Sequence, residues 1–301
     1  MCINILTITT KTTTCPRGEI GRHKGLKILA RKGVPVRVWP RAPSKNMKLY
    51  FDFDKTHKAQ KEKKKFLRIY KNFSPKVADV IVVAGGDGYM LKKIRQLHNF
   101  KKPFYGLNCG TFGFLMNKIR KESLTKIIKD SKKLTINPLK LSSLDKNKKK
   151  RSLIAINEVS LFRQTKQTVN LKVKIGKKIL LKKLVGDGIL VSTPAGSTAY
   201  NMSIYGPILS LNSNLLAVTP ISPFRPRRWK GKIISNKSSI HFTNLDYKKR
   251  PVSAVADNIE LRNIKSIKIQ SDRNTKINVL FDKKTSLIKK NKLEKLKKSL
   301  S

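Results

Sequence analysis

The chain has 301 residues, 39% of them hydrophobic, and 68 Lys+Arg against 17 Asp+Glu give a formal net charge of +51. That length and apolar content suit one large domain or two modest ones, and no apolar run reaches the roughly 18 residues that a membrane-spanning helix needs. Three scattered cysteines, Cys2, Cys15 and Cys109, argue against a disulfide framework and a zinc site, Met1–Thr10 lacks the long apolar core of a signal peptide, and the expected setting is the reduced cytoplasm.

The cations are 52 lysines and 16 arginines. Base reading and planar stacking favour Arg, whereas Lys is a solvated point charge. The lysines gather in blocks, Lys61–Lys65, Lys146–Arg151 and Lys289–Lys298, without interleaved aromatics. The charge therefore reads as solvated helix faces and loops, with no dedicated nucleic-acid partner.

In chain order, residues 1–46 differ in character from the rest. The stretch Cys15–Pro43 resembles the conceptual translation of a leucine transfer-RNA gene. Gly18–Lys27 would read its D-arm and part of its anticodon arm. Val36-Arg37 back-translates as GTTCGA, the T-loop signature, and Ala42-Pro43 as GCACCA, the acceptor end. Residues 1–46 are expected to be a non-native leader, with Met47 as the start of a functional chain of 255 residues.

From Met47 to about residue 135 strands alternate with helices. Leu49–Phe53 reads as a strand, and Thr56–Tyr70 as a helix with Ala59, Phe66 and Tyr70 on one face and lysines on the other. Asp79–Ala84 is a β-branched run of the buried parallel type. It breaks at Gly85-Gly86-Asp87-Gly88 and is followed by a helix over Tyr89–Gln96; Phe104–Leu107 is another strand, ending in the loop Asn108–Gly113. Such alternation implies an α/β layer of Rossmann type, with ligands at the carboxyl ends of its strands.

Over residues 136–270 the period falls to two, clearest where Val169, Leu171, Val173 and Ile175 alternate with Asn170, Lys172 and Lys174. Ile154–Phe162, Ile179–Leu184, Ile189–Val191, Leu215–Val218, Ser239–Phe242 and Ile264–Ile269 are further strand candidates. This half reads as a mostly β substrate domain. Residues 271–301 are expected to return to the α/β domain and to end in a Lys-rich surface helix after Asp282.

Three stretches carry chemistry. Val80–Leu91 (VIVVAGGDGYML) is a strand ending in a glycine-rich turn that opens a helix. This arrangement puts backbone N–H groups where a phosphate can approach and exposes one carboxylate, Asp87. Asn157-Glu158 is a polar pair inside an apolar strand, where a buried carboxylate is unfavourable unless paired or solvated by a ligand; an edge strand facing water would explain it equally well. Val185–Leu209 holds a hydroxyl- and glycine-rich loop after Thr193-Pro194, with a helix start expected at Ser197 or Thr198. There is no Walker pattern, no dinucleotide fingerprint and no Ser/His/Asp or Cys/His set.

Together these stretches resemble NAD kinases, through GGDGYML, GLNCGTFGFLMN (Gly106–Asn117), NEVSL (Asn157–Leu161), GDGILVSTPAGSTAYN (Gly186–Asn201), VTPISPFRPRRWKG (Val218–Gly231) and VSAVADN (Val252–Asn258). The resemblance implies phosphorylation of the adenosine ribose 2′-hydroxyl of NAD to give NADP, with ATP or polyphosphate as donor and Mg²⁺ or another divalent metal. It implies Asp87 as proton acceptor, Gly88 against the dinucleotide, Phe114 on adenine, and Asn157 and Glu158 on the ribose–adenine side. Asp187 would contact the nicotinamide end; Ala195, Thr198, Ala199, Tyr200, Asn201 and Ser203 would wrap the substrate, and Asn258 would be a further ligand. Many members have Ser or Thr in place of Ala195, so one donor is lost here; Cys109 receives no catalytic role. The family further implies a homodimer or homotetramer without membrane attachment. A lipid or diacylglycerol kinase shares the GGDG strand–loop–helix, and a basic RNA-binding protein would account for the charge. The Asn157-Glu158 pair and the Ser192–Tyr200 loop fit an NAD kinase better than either.

The leader reading has a direct test. Mass spectrometry of the protein from its native cells is expected to return Met47 at the N-terminus and no peptide covering Gly25–Arg41.

Overall fold

The computed structural model describes residues 47–111 and 113–283, together with two short strands, β1 (Leu26–Lys27) and β2 (Arg37–Val38), which pair antiparallel. The rest of the expected leader and the Lys-rich tail lie outside the described residues. The chain divides into two units, Met1–Met47 and Lys48–Ser301, and the second holds all three larger sheets.

The first of these sheets has the order β3-β4-β5-β19-β6. Strands β3 (Leu49–Phe53), β4 (Val80–Gly85), β5 (Phe104–Asn108) and β19 (Ile277–Phe281) run parallel, and β6 (Lys132–Ile136) is antiparallel to β19. Every residue of β4 is buried, as its β-branched run demands of a central parallel strand. Helix α1 (His57–Ile69) lays Phe66 on Phe51 of β3, with Tyr70 just beyond its end tilted against the same ring, at centroid distances of 6.0 Å each. Helix α2 (Asp87–Leu97) starts two residues earlier than its hydrophobic period suggests, because Gly86 is already the cap and Asp87 occupies the first turn. A short α3 (Leu124–Lys129) precedes β6.

The remaining strands build two six-stranded antiparallel sheets. One has the order β11-β10-β15-β18-β7-β8, from β7 (Leu139–Asp145), β8 (Lys150–Ala155), β10 (Val169–Ile175), β11 (Lys178–Gly186), β15 (Ile240–Asn244) and β18 (Ile264–Ser271). The other has the order β14-β13-β12-β9-β16-β17, from β9 (Glu158–Arg163), β12 (Gly188–Ser192), β13 (Leu215–Ile221), β14 (Lys232–Ser235), β16 (Val252–Ala256) and β17 (Ile259–Leu261). Val169, Leu171 and Val173 of β10 and Val159 and Leu161 of β9 meet in one core cluster, so the two inner faces pack against each other. The architecture is thus an N-terminal α/β layer and a mostly β second half.

One expected strand is two. Ile154–Phe162 breaks at Ile156-Asn157, since β8 ends at Ala155 and β9 begins at Glu158. The two halves then enter different sheets. Strand β9 runs between β12 and β16, an interior position, so the edge-strand explanation of the Asn157-Glu158 pair does not hold.

Candidate active site

Asp87 stands at the first turn of α2, just past the carboxyl end of β4. Its carboxylate accepts the backbone N–H of Phe114 at 2.6 Å and that of Leu115 at 2.9 Å. The loop after β5 therefore turns back over the helix start and aims the carboxylate. Gly86 and Gly88 flank it, and a Cβ added at either would meet nothing within 4 Å. Neither glycine is demanded by protein packing; both leave open space beside helix N–H groups, the cradle that a phosphate needs.

The break at Ile156–Glu158 has an identifiable cause. Asp257, in the β16–β17 turn with φ 52°, turns its carboxylate onto this segment. It accepts the N–H of Ile156 and of Asn157, both at 2.9 Å, and that of Glu158 at 3.3 Å. Three successive amides thus point at one carboxylate instead of a neighbouring strand. Arg95 of α2 closes the arrangement, donating to Asp257 at 2.9 Å and to the Asn258 side chain at 2.5 Å. The Asp257 side chain is 3% exposed, so this ion pair is buried as well as hydrogen-bonded.

Glu158 sits beside this pair, and its Oε2 is buried without a hydrogen-bond partner. Burial, and then the negative charge of Asp257, push its pKa up to about 8, so it is largely protonated at neutral pH. A neutral carboxyl can both donate and accept, which suits it to hydroxyl groups of a ligand.

The hydroxyl-rich loop packs onto the same break. Thr193 donates its N–H to the carbonyl of Asn157 at 2.9 Å and its hydroxyl to that of Ile156 at 2.8 Å, and it accepts the Gly196 N–H at 3.1 Å. A Cβ on Gly196 would lie 2.3 Å from the Asn157 oxygen, so only glycine allows this approach. The loop continues as a 3-10 turn, Gly196–Thr198, and a single-turn helix α4 (Tyr200–Ser203). Ala195 joins Phe114 and Ile156 in one buried cluster, which brings three sequence-distant stretches together.

The other expected residues have distinct placements. Asp187 pairs with Arg163 at 2.6 Å. Tyr200 is tilted against Phe162 at 5.7 Å, and burial, then the charges of Asp187 and Glu158, raise its pKa. Asn201 is fully buried; it donates to the carbonyls of Ser197 and Pro207 and accepts from Thr219 at 2.7 Å, so its side chain holds the loop in shape. Thr198 is buried, and Ser203 borders a cavity of about 770 Å³ shared with Tyr205 and Trp229. Cys109 is buried, and that burial pushes its thiol pKa up.

Sequence reasoning missed Arg95, Asp257 and Thr193 as parts of the site. The available signal was indirect: a polar pair interrupting an apolar run, and an Asp-Asn turn joining two short strands.

Comparison with known proteins places the chain in a family. The family model for the ATP-NAD kinase N-terminal domain matches residues 23–132, and that for the ATP-NAD kinase C-terminal domain matches residues 156–280. The chain is 46% identical over 229 residues to an NAD kinase of Zymomonas mobilis subsp. mobilis, covering 75% of this chain and 89% of that one. An NAD kinase of Caulobacter vibrioides is 42% identical over 240 residues, with 80% and 92% covered. The fold is similar to that of yeast NADH kinase complexed with NADH, with TM-score 0.66, 20% identity and 82% of this chain and 85% of that chain covered. An NAD kinase from Archaeoglobus fulgidus in complex with ATP gives TM-score 0.65 at 20% identity, with 82% and 98% covered.

The Asp257–Glu158 pair predicts a pH effect. The pH dependence of KM for NAD is expected to inflect near the Glu158 pKa of about 8. Asp257→Asn removes the like charge, so the inflection moves to lower pH. An unmoved inflection in a folded variant would show that Glu158 does not set it.

Proposed function

The chain belongs to the NAD kinase family, and from that premise we propose how its residues divide the work. It transfers the terminal phosphoryl group of ATP to the 2′-hydroxyl of the adenosine ribose of NAD, giving NADP. The observation that carries the residue assignment is the Asp87 carboxylate, held by two backbone amides beside two glycines that face open space.

Phosphoryl transfer asks a protein mainly for positioning and charge stabilisation. Asp87 accepts the proton of the 2′-hydroxyl as the new P–O bond forms; the leaving group is ADP. A loose transition state places little negative charge demand on the attacking oxygen until late, so a carboxylate is an adequate base. The Phe114 and Leu115 amides restrict its rotation and fix its direction at the helix start. Gly88 lets the dinucleotide approach the helix start. Asn157 and the neutral Glu158 carboxyl hold the ribose–adenine side, Phe114 packs on adenine, and Asp187 faces the nicotinamide end. Ala195, Thr198, Ala199, Tyr200, Asn201 and Ser203 form or support the enclosing loop, and Asn258 orients the Arg95 guanidinium.

A divalent metal bound with ATP would supply charge neutralisation on the donor phosphates. Mg²⁺ is ordinarily held by substrate phosphates and one or two carboxylates. The open cradle at Gly86 and Gly88, with the Asp87 carboxylate at its side, fits a metal that arrives on ATP. Among the described residues there is no group of three or more His, Cys, Asp or Glu that could form a dedicated metal cage.

We place the reaction in the cytoplasm; no helix among the described residues is long and apolar enough to cross a membrane. We also propose a homodimer or homotetramer. Tyr205 is 97% exposed and Phe224 51%, a degree of apolar exposure that a second copy of the chain would cover. Light scattering on the purified protein is expected to give at least the dimer mass.

Asp87→Asn is expected to preserve folding and NAD binding while lowering kcat by about 10²- to 10⁴-fold, the usual weight of a positioned base. NADP formation from NAD with ATP and Mg²⁺, alongside parallel reactions with polyphosphate and with diacylglycerol as acceptor, measures this. Wild-type kcat in the variant would remove Asp87 from the role.

A further inference from the structure

The chain leaves the parallel layer at Asn137-Pro138, just after β6, and starts back towards it at Ser271, the last residue of β18. Between these two crossings lies a cavity of about 310 Å³, bordered by Asn137, Ser271, Lys133, Ser213 and the Pro194-Ala195 step of the substrate loop. Its volume is at the small end of ligand sites. Its lining does not include Asp87, Gly88, Asn157 or Glu158, and of the residues given a role in holding substrate only Ala195 borders it.

Two of its lining atoms, Asn137 Oδ1 and Ser213 Oγ, are buried without a hydrogen-bond partner. A buried polar atom in that condition is unfavourable unless something enters to pair with it. Three further asparagines, Asn212, Asn214 and Asn236, share the rim, while leucines and Pro194 supply apolar wall. Among the described lining residues there is no aromatic ring, no carboxylate and no arginine, and Lys133 is the one charged group.

We propose that this cavity binds a small polyhydroxyl molecule of the sugar or sugar-phosphate class, and that its occupancy regulates the substrate loop. Hydroxyl groups both donate and accept, as do the amide and hydroxyl side chains that face them. The C–H faces of a sugar pack on leucine and proline. A nucleobase would call for an aromatic platform, and a polyphosphate for clustered arginines. Lys133 at the wall complements a single phosphate. Coupling to catalysis follows from position: Ala195 borders the cavity and also belongs to the buried cluster that holds Phe114 and Ile156. A ligand that prefers one setting of the Pro194-Ala195 step changes NAD affinity by the same free energy with which NAD changes its own. The regulatory half rests on the kinase assignment; the binding half does not.

The test uses the full chain with D-ribose, ribose 5-phosphate and glucose 6-phosphate as probes, with NAD saturating the substrate cleft. Saturation-transfer NMR and crystal soaks read binding without turnover, so a failure of the kinase assignment does not register in them. At least one probe is expected to bind at millimolar concentration or below and to appear between Asn137 and Ser213. Ser213→Leu, which fills the cavity, should weaken it by about tenfold, the scale of one lost buried polar contact. Thr135→Tyr, from the exposed rim, provides a second variant should the first fold poorly. The bound probe should shift KM for NAD in the wild type and leave both variants unmoved. Binding of no probe, or binding indifferent to both substitutions, overturns the site; binding with an unchanged KM overturns its regulatory role.

Discussion

Asp257 is a single carboxylate in a turn between two short strands, yet it receives three consecutive backbone amides and one guanidinium. Two of those amides, of Ile156 and Asn157, lie between the end of β8 and the start of β9, and an unpaired buried N–H is unfavourable. The carboxylate satisfies them, and Arg95 offsets the charge that this places in the interior. Removing one partner of such a pair costs about 3–5 kcal/mol, because the other is left buried and charged. Much of the site depends on this arrangement. It ends β8, starts β9 in another sheet, and presents Asn157 and Glu158 side by side.

The same interaction joins the two halves of the enzyme. Arg95 lies two turns along the helix whose first residue is Asp87, so that helix carries the Asp87 carboxylate and, through Arg95 and Asp257, is tied to the Ile156–Glu158 segment. The hydroxyl-rich loop is tied to the opposite side of the break by Thr193 and by the close approach of Gly196 to Asn157. Glu158 is left between them, its carboxyl kept neutral by burial and by the charge of Asp257. Two neighbouring carboxyl groups thus have different surroundings: Asp257 receives the amides and the guanidinium, while Glu158 is buried with Oε2 unpartnered, and its pKa rises.

The net charge of +51 has little part in this geometry. Much of it is exposed lysine on helix α1 and on strand and loop surfaces, as the amphipathic pattern of α1 shows. Its effect is at long range, where a positive field draws anionic ATP and NAD toward the cleft at low ionic strength.

Local pattern was enough to reveal the alternation of strand and helix before residue 135, the two-residue period of β10, and the glycine-rich turn with its lone aspartate. Each depends on neighbours in sequence: period, turn chemistry and the burial demand of a β-branched run. The motif resemblance identified the family for the same reason, since its loops are short and contiguous. What tertiary structure decided are the relations between distant residues. The amides of Phe114 and Leu115 aim Asp87 across a separation of about 27 residues. Asp257 reaches the Ile156 amide across 101, and Arg95 reaches Asp257 across 162. No local period records such partners, because a buried carboxylate is stabilised by whichever donors the fold brings to it. The sequence therefore determined which chemistry was available and on which elements, and the packing of the layers determined which groups face one another and in what state of charge.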